Sequence, residues 1–219
     1  MLEQLAVYQD TEPHSAALNM AIDEALLDTA TLPILRAYRW QHPALSFGYF
    51  GSFASVAHYQ AEREIVRRWT GGGIVLHGED LTYSAIIPKG HPLLRSSSIQ
   101  IYSLLHGAIQ RALVDSGIEA VLANSATPKV SEDCFANPVR ADVLVSGRKI
   151  AGGAQRRTRS GLLHQGSIQL PCLPARVVED LAAIFCQRFE RRTLAPELIA
   201  RANAIVQAKY GRETWLMRR

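Results

Sequence analysis

The sequence contains few cysteines, and their spacing does not fit a structural role. Cys134, Cys172 and Cys186 are an odd number of thiols, and no CxxC pair or histidine–cysteine spacing typical of a zinc site accompanies them. We therefore expect free thiols, no disulfide framework and no bound metal.

Long hydrophobic runs are also missing. No apolar segment approaches the length that a membrane-spanning helix needs, and the first residues, MLEQLAVYQDTEPHS, lack the basic start and apolar centre of a signal peptide. These features predict a cytoplasmic protein that does not contact membranes.

Aromatic residues make up only 7% of the chain, and no known nucleic-acid-binding motif accompanies its arginines. The formal net charge of +4 still favours an acidic partner. We rank a protein partner above nucleic acid, which is unlikely on this composition. An arginine-rich nucleic-acid-binding module is the non-enzymatic alternative.

The order of the predicted elements indicates the fold class. The chain has 219 residues, of which 47% are hydrophobic, so we interpret 1–219 as one domain around one core. Runs of strands alternate with helices, and this order predicts an α+β fold with a mixed, mainly antiparallel sheet packed by helices. Helical spacing of apolar residues predicts helices over 16–28, 98–116, 175–189 and 196–210. Predicted strands are 34–40, 44–50, 65–69, 73–77, 81–87, 120–123, 141–145, 148–152, 154–159 and 162–170, with a long loop over 124–140.

Three glycines follow two arginines in the segment RRWTGGG, residues 67–73. Glycines let the backbone approach a ligand closely, and arginines can hold a carboxylate or a phosphate. The segment is neither a Walker loop nor a dinucleotide-binding turn. A tight hairpin turn with surface arginines is the structural alternative, and the pattern alone does not decide between the two.

Cys134 precedes a single lysine, Lys149, in a segment whose other cationic side chains are arginine or histidine. Residues 150–154, Ile-Ala-Gly-Gly-Ala, place little charge beside this lysine, so its ammonium can point at a ligand carbonyl. A thiol and an ammonium together can form and hold an acyl thioester. The incidental alternative is a loop thiol without a role.

Other polar residues are given minor roles. His77 and His164 have no acidic residue at triad-like spacing, so each receives a supporting role at most. Asp142 fits a cap or turn residue, and Glu24 and Asp28 fit a solvated helix face.

Several motifs together resemble one superfamily, the lipoate–protein ligases, octanoyltransferases and biotin ligases. They cover nearly the whole chain in order: LNMAIDEALL (18–27), LRAYRW and LSFGYF (within 35–50), RRWTGGGIVLH (67–77), GRKIAGGAQRR (147–157), LLHQGSIQL (162–170) and KYGRETW (209–215).

The resemblance implies a mixed sheet packed by helices, similar to the core of class II aminoacyl-tRNA synthetases and biotin ligases. It also implies a tunnel for a medium-length acyl chain, with the motif lysine, Lys149, contacting the acyl carbonyl. The implied substrate-binding residues are Arg68, Gly71, Gly72, Gly73, His77, Gly152, Gly153, Ala154 and His164.

Three reactions of this family are compatible with the motifs. The chain is most similar to the cysteine-dependent octanoyltransferases, whose nucleophile lies in a CF-x-x-P segment before the GRK motif, as Cys134 does in CFANP. Such an enzyme takes octanoate from acyl carrier protein and delivers it to a lysine of a lipoyl domain, in 2-oxoacid dehydrogenases or the glycine cleavage H protein, without a cofactor.

The alternatives are an ATP-dependent ligase, which needs ATP and Mg, and a lipoyl-domain amidotransferase. The chain ends soon after KYGRETW, which favours transfer over ligation because many ligases use an accessory domain. The proposed oxyanion donors are backbone N–H groups of 152–154.

Overall fold

The computed structural model describes residues 2–126, 128, 131 and 134–218. Within these residues, none of the helices is both long and apolar enough to span a bilayer. The strands in chain order are β1 (Ala6–Gln9), β2 (Ile34–Tyr38), β3 (Ala44–Phe47), β4 (Glu64–Arg67), β5 (Val75–His77), β6 (Leu81–Pro88), β7 (Ala120–Leu122), β8 (Val143–Val145), β9 (Arg148–Thr158), β10 (Gly161–Ile168) and β11 (Glu190–Arg192).

Two sheets are formed by these strands. The larger has the order β11-β1-β2-β6-β10-β9-β8-β7, and the smaller has the order β4-β3-β5. Only the β1–β2, β1–β11 and β3–β4 pairs among the described strands are parallel. The predicted mixed, mainly antiparallel α+β fold is therefore confirmed.

Two details of the predicted strands are wrong. The short link between the predicted strands 34–40 and 44–50 favours antiparallel pairing, but β2 belongs to the larger sheet and β3 to the smaller one. The two glycines at 152 and 153 do not divide β9, which runs unbroken from Arg148 to Thr158 beside β10.

The helices are α1 (Ala16–Thr29), α2 (Ser98–Asp115), α3 (Val177–Phe185), α4 (Pro196–Ile205) and α5 (Glu213–Leu216), and a π-helical turn, Val206–Tyr210, continues α4. Ser15 caps α1 by accepting a hydrogen bond from the Leu18 amide. Ser97, one residue before the predicted start of the helix, caps α2 in a reciprocal capping box with Gln100.

The helices cover both faces of the larger sheet. Leu162 packs in one core with residues of α2 and α3, whereas its neighbour Leu163 packs in the other with residues of α1 and α4. This alternation follows from the two-residue period of a strand, and each fully buried Leu or Ile contributes about 2 kcal/mol.

The predicted solvated face of α1 is wrong at Glu24. Its side chain is 15% exposed and accepts hydrogen bonds from Lys209 Nζ and Tyr210 Oη, both at 2.6 Å. These contacts join α1 to the C-terminal KYGRETW motif. Asp28 is more exposed and pairs with Arg201.

Candidate active site

One cavity lies where the smaller sheet meets β9 and β10. Apolar parts of its wall come from Met20, Tyr38, Trp40, Val75 and Phe135. Six of the predicted site residues also line it: Arg68, His77, Cys134, Gly152, Gly153 and Ala154. The other five, Gly71, Gly72, Gly73, Lys149 and His164, lie beside it and contact its lining residues.

Cys134 begins a short 3-10 turn, 134–136, within the predicted loop. Its backbone N–H donates to the Ile74 carbonyl at 2.9 Å, directly after the glycines, and its thiol is partly buried. This bond fixes the thiol-bearing turn against the strand that lines the cavity.

The ammonium of Lys149 approaches the same turn. Its Nζ donates to the Cys134 carbonyl at 2.9 Å and pairs with Asp142 Oδ2 at 2.8 Å. Two of our expectations are therefore wrong: Lys149 has a charged neighbour, and Asp142 is more than a turn residue, since it is fully buried.

Asp142 is held by further hydrogen bonds. Tyr102 Oη donates to Asp142 Oδ1 at 2.5 Å, and the Val139 amide donates to Oδ2 at 2.7 Å. Burial, together with the charge of Asp142, raises the pKa of Tyr102 far above its ordinary value, so its proton stays in place as a donor. Because Tyr102 Oη also accepts from the Gly153 amide at 3.1 Å, that amide is already engaged and is not a free oxyanion donor.

Small residues in β9 make space for the larger polar groups. A methyl group at Gly152 would overlap Cε of Lys149, and one at Gly153 would overlap the imidazole of His164. His164 lies behind Gly153, fully buried, with Nε2 at 3.1 Å from Tyr83 Oη. Burial and the neighbouring His106 keep the pKa of His164 well below its ordinary value, so the ring is neutral.

Arg68 holds the glycine loop, residues 70–73, through two hydrogen bonds to its carbonyl oxygens. Its Nη2 donates to the Gly71 carbonyl at 3.1 Å and to the Gly73 carbonyl at 2.8 Å. Gly72 has a φ of +88°, which favours glycine. The loop also packs against Gly48, where any Cβ would collide with the Gly72 carbonyl oxygen.

Arg67 is 1% exposed and has a structural contact set. Its guanidinium donates to the carbonyls of Tyr49 and Gly51 on one side and to those of Trp215, Leu216 and Arg218 on the other. Neither arginine of the RRWTGGG segment is on the surface, so the alternative of a hairpin turn with surface arginines is wrong.

His77 has an acidic partner three residues away, contrary to our expectation. Its Nδ1 lies 2.8 Å from Asp80 Oδ2, and both side chains are 3% exposed. On the other side, its Nε2 lies 2.6 Å from Ser46 Oγ. The ring also stacks on Trp40 at a centroid distance of 4.2 Å.

Sequence reasoning gave no role in the site to several polar residues around this cavity, among them Ser46, Asp80, Tyr102 and Asp142. Single serines and tyrosines in predicted strands or helices carry no signal of their own. Asp80 and Asp142 do carry one, because each is a carboxylate close to a predicted site residue, His77 or Lys149 respectively. A buried charge needs a partner of opposite charge, so a candidate base or cation near a carboxylate in the sequence indicates that the two form a pair.

Comparisons with known proteins identify the family. A sequence profile of the lipoyl protein ligase A/B catalytic domain matches residues 15–184. The chain belongs to this family.

Curated members of the family share substantial sequence identity with the chain. The octanoyltransferase LipM of Oceanobacillus iheyensis is 41% identical over 179 residues, which cover 78% of this chain and 65% of that protein. The octanoyltransferase LipM of Bacillus subtilis is 35% identical over 177 residues, which cover 74% of this chain and 64% of that protein. The match thus spans slightly less than two thirds of these relatives.

Solved structures show the same fold at lower identity. Ta0514 of T. acidophilum with bound lipoic acid is 20% identical, with a TM-score of 0.76 and coverage of 99% of both chains. A lipoate-protein ligase A bound with ATP is 19% identical, with the same TM-score and coverage. These likenesses establish the shared fold.

Proposed function

We propose that the chain is a cysteine-dependent octanoyltransferase of protein lipoylation. The observation that carries this proposal is the position of Cys134: the residue lines the cavity, and Lys149 holds its backbone carbonyl. The curated relatives named octanoyltransferase support the same reaction.

In the first half-reaction, the Cys134 thiolate attacks the carbonyl carbon of an octanoyl thioester on acyl carrier protein. The new carbon–sulfur bond forms while the bond to the carrier sulfur breaks, and the carrier thiolate takes up a proton. Lys149 has three N–H donors, and its described contacts with Cys134 and Asp142 use two of them, so the third can stabilise the carbonyl oxygen.

In the second half-reaction, the neutral amine of an acceptor lysine attacks the enzyme thioester. An amide bond forms, the Cys134 thiolate leaves, and the amine loses a proton. The octanoyl chain lies against the apolar side chains of Met20, Tyr38, Trp40 and Val75 during both steps.

The partners are acyl carrier protein as donor and lipoyl domains, of 2-oxoacid dehydrogenases or the glycine cleavage H protein, as acceptors. The formal net charge of +4 raises the encounter rate with acidic domains of this kind. The reaction needs no cofactor, because the thioester supplies an already activated acyl group. It takes place in the cytoplasm.

Intact-mass spectrometry after incubation with octanoyl acyl carrier protein tests the proposal. We expect one octanoyl adduct that hydroxylamine removes and that is absent in Cys134→Ala. Cys172→Ala, which removes an exposed thiol outside the cavity, is the matched control and keeps the adduct. The absence of an adduct on the parent protein contradicts the transferase.

The alternatives give different results in the same preparation. An ATP-dependent ligase releases pyrophosphate with ATP, Mg and octanoate or lipoate, and Cys134→Ala leaves that release unchanged. An amidotransferase accepts the octanoyl group from an octanoylated lipoyl domain and gives no adduct with the acyl carrier donor.

A further inference from the structure

Four buried side chains form a continuous row of hydrogen bonds along the cavity wall. Arg68 Nη1 donates to Ser46 Oγ at 2.7 Å, and Ser46 Oγ lies 2.6 Å from His77 Nε2. His77 Nδ1 in turn lies 2.8 Å from Asp80 Oδ2. All four residues are at most 6% exposed, so water does not compete for these bonds.

Each residue in this row donates a hydrogen bond to the next one, in the order Arg68, Ser46, His77 and Asp80. A guanidinium has no acceptor, so Ser46 Oγ accepts from Arg68. Burial alone would raise the pKa of Asp80, but the interaction with His77 and hydrogen bonds from Ser167 and the Gly78 amide lower it to about 2, and the carboxylate therefore accepts. Since the carboxylate of Asp80 accepts, His77 Nδ1 donates to it, and a neutral imidazole that donates at Nδ1 accepts the hydroxyl proton of Ser46 at Nε2.

The cationic end of the row and the reactive thiol belong to residues that line the same cavity. Arg68 holds the carbonyl of Gly73, while the following residue, Ile74, accepts the amide of Cys134. Arg68 and Cys134 both line the cavity. Burial lowers the pKa of Arg68, and Cys134 and Tyr38 act in the opposite direction, as expected for a guanidinium close to a potential anion.

We propose that Asp80 and Ser46 are positioning residues that, through His77, fix the Arg68 guanidinium beside the Cys134 thiol and under the glycine loop. The proposal rests on the proposed function, because it takes Cys134 as the thiol that carries the acyl group. A fixed cation at this point stabilises negative charge at the sulfur and so supports its nucleophilic attack. It also holds the carbonyls of Gly71 and Gly73 in place.

Ser46, His77 and Asp80 have the spacing of a Ser-His-Asp triad, in which the serine is the nucleophile. Two observations assign Ser46 a different role. Its oxygen already accepts a hydrogen bond from Arg68, and the residue lies inside β3 with 1% exposure, not on an exposed turn. A triad serine would leave an octanoyl oxyester in Cys134→Ala, which the experiment detects.

The test compares Ser46→Ala, Asp80→Asn and Arg68→Gln, alone and combined, with Ser84→Ala as control. Ser84 is also a fully buried strand serine that donates to a carboxylate, Asp23, but it is not part of the row. Two rates are measured: single-turnover acylation by octanoyl acyl carrier protein at varied donor concentration, and alkylation of Cys134 by iodoacetamide at fixed pH.

We expect Ser46→Ala and Asp80→Asn to slow maximal acylation about tenfold, the effect of losing one hydrogen bond to a charged group, at an unchanged half-saturating donor concentration. Alkylation slows in parallel, whereas Ser84→Ala keeps both rates. In the Arg68→Gln background, each change adds less than about twofold, because the group to be positioned is gone.

Three results overturn the proposal: the full effect of Ser46→Ala persists in the Arg68→Gln background, the single variants alkylate as fast as the parent, or an octanoyl ester forms on Ser46. Alkylation requires no octanoyl donor. If the parent forms no adduct while the alkylation rates still change as expected, the proposed function fails and the positioning role stands.

Discussion

Lys149 and Asp142 form an ion pair of 2.8 Å, measured from Nζ to Oδ2, in which the side chains are 2% and 0% exposed. A buried ion pair is a costly way to stabilise a fold, because both charges lose water. Here it places an ammonium at the Cys134 carbonyl, so the pair is better explained by the position of the charge than by stability.

Replacing Asp142 with asparagine should impair both stability and reaction. The Lys149 ammonium would remain buried without its carboxylate, so we expect the free energy of unfolding to fall by about 3 kcal/mol. The displaced ammonium should slow single-turnover acylation about a hundredfold. Urea unfolding and intact-mass kinetics measure the two effects.

The double variant Asp142→Asn with Lys149→Met separates these effects. Since it removes both charges, it should recover most of the lost stability while acylation stays slow. A double variant as unstable as Asp142→Asn alone would show that the ion pair is not the source of the instability.

Gly152→Ala should abolish acylation with little change elsewhere in the fold. The added methyl group overlaps Cε of Lys149 and approaches Asp142 Oδ1 to 3.3 Å, so the lysine has to leave its position. Gly107→Ala is the matched control, because nothing lies within 4 Å of its added methyl group and α2 should gain up to about 1 kcal/mol. Equal acylation rates for the two variants would contradict the packing argument.

The regular elements could be predicted because their apolar periodicity is local. Residues of α2 such as Ile101 and Leu105 follow helical spacing, and the strand patterns 81–87 and 162–170 fall on β6 and β10. Which strands pair with each other was harder to predict, since β2 and β3 are separated by only a few residues and yet belong to different sheets. A local pattern contains no information on which long-range partner a strand selects.

The candidate site divides in the same way. Cys134 and Lys149 stand out in the sequence, one as a thiol in a loop and the other as a single lysine. Asp142 carries only a weak signal, its closeness to Lys149 in the chain; its other partner, Tyr102, is 40 residues away, and only the fold brings them together. Asp80 is close to His77 in sequence, but a three-residue spacing becomes a contact only through the turn between β5 and β6.

Arg67 should be essential for the position of the C-terminal segment. Its guanidinium donates to carbonyls of Tyr49 and Gly51 and to three carbonyls after residue 214, and Trp215 Nε1 donates back to the Arg67 carbonyl at 3.0 Å. An ammonium cannot reproduce this planar set of donors. We expect Arg67→Lys to lower the free energy of unfolding by about 2 kcal/mol and to speed chymotrypsin cleavage after Trp215.

Arg212→Lys is the control for that change, because Arg212 is exposed and its Nε donates to one carbonyl, that of Gln207. It should keep the parent stability and cleavage rate. Slow cleavage of Arg67→Lys, equal to that of the control, would show that other contacts hold the segment.

Stability should fall in mild acid because of His106. Burial lowers the pKa of this histidine to about 4, and its Nδ1 donates to the Ala141 carbonyl at 2.8 Å. The unfolded chain binds a proton near the ordinary histidine pKa of about 6.5, whereas the folded chain does not, so unfolding becomes easier as the pH falls from about 6.5 towards 4. Between pH 7 and pH 5 this single group should remove about 2 kcal/mol of the free energy of unfolding.

His106→Asn retains a donor for Ala141 but does not titrate, so urea unfolding at the two pH values should show a smaller difference than in the parent. The exposed control His42→Gln should keep the parent difference. An unchanged difference in His106→Asn would mean that other groups cause the acid sensitivity.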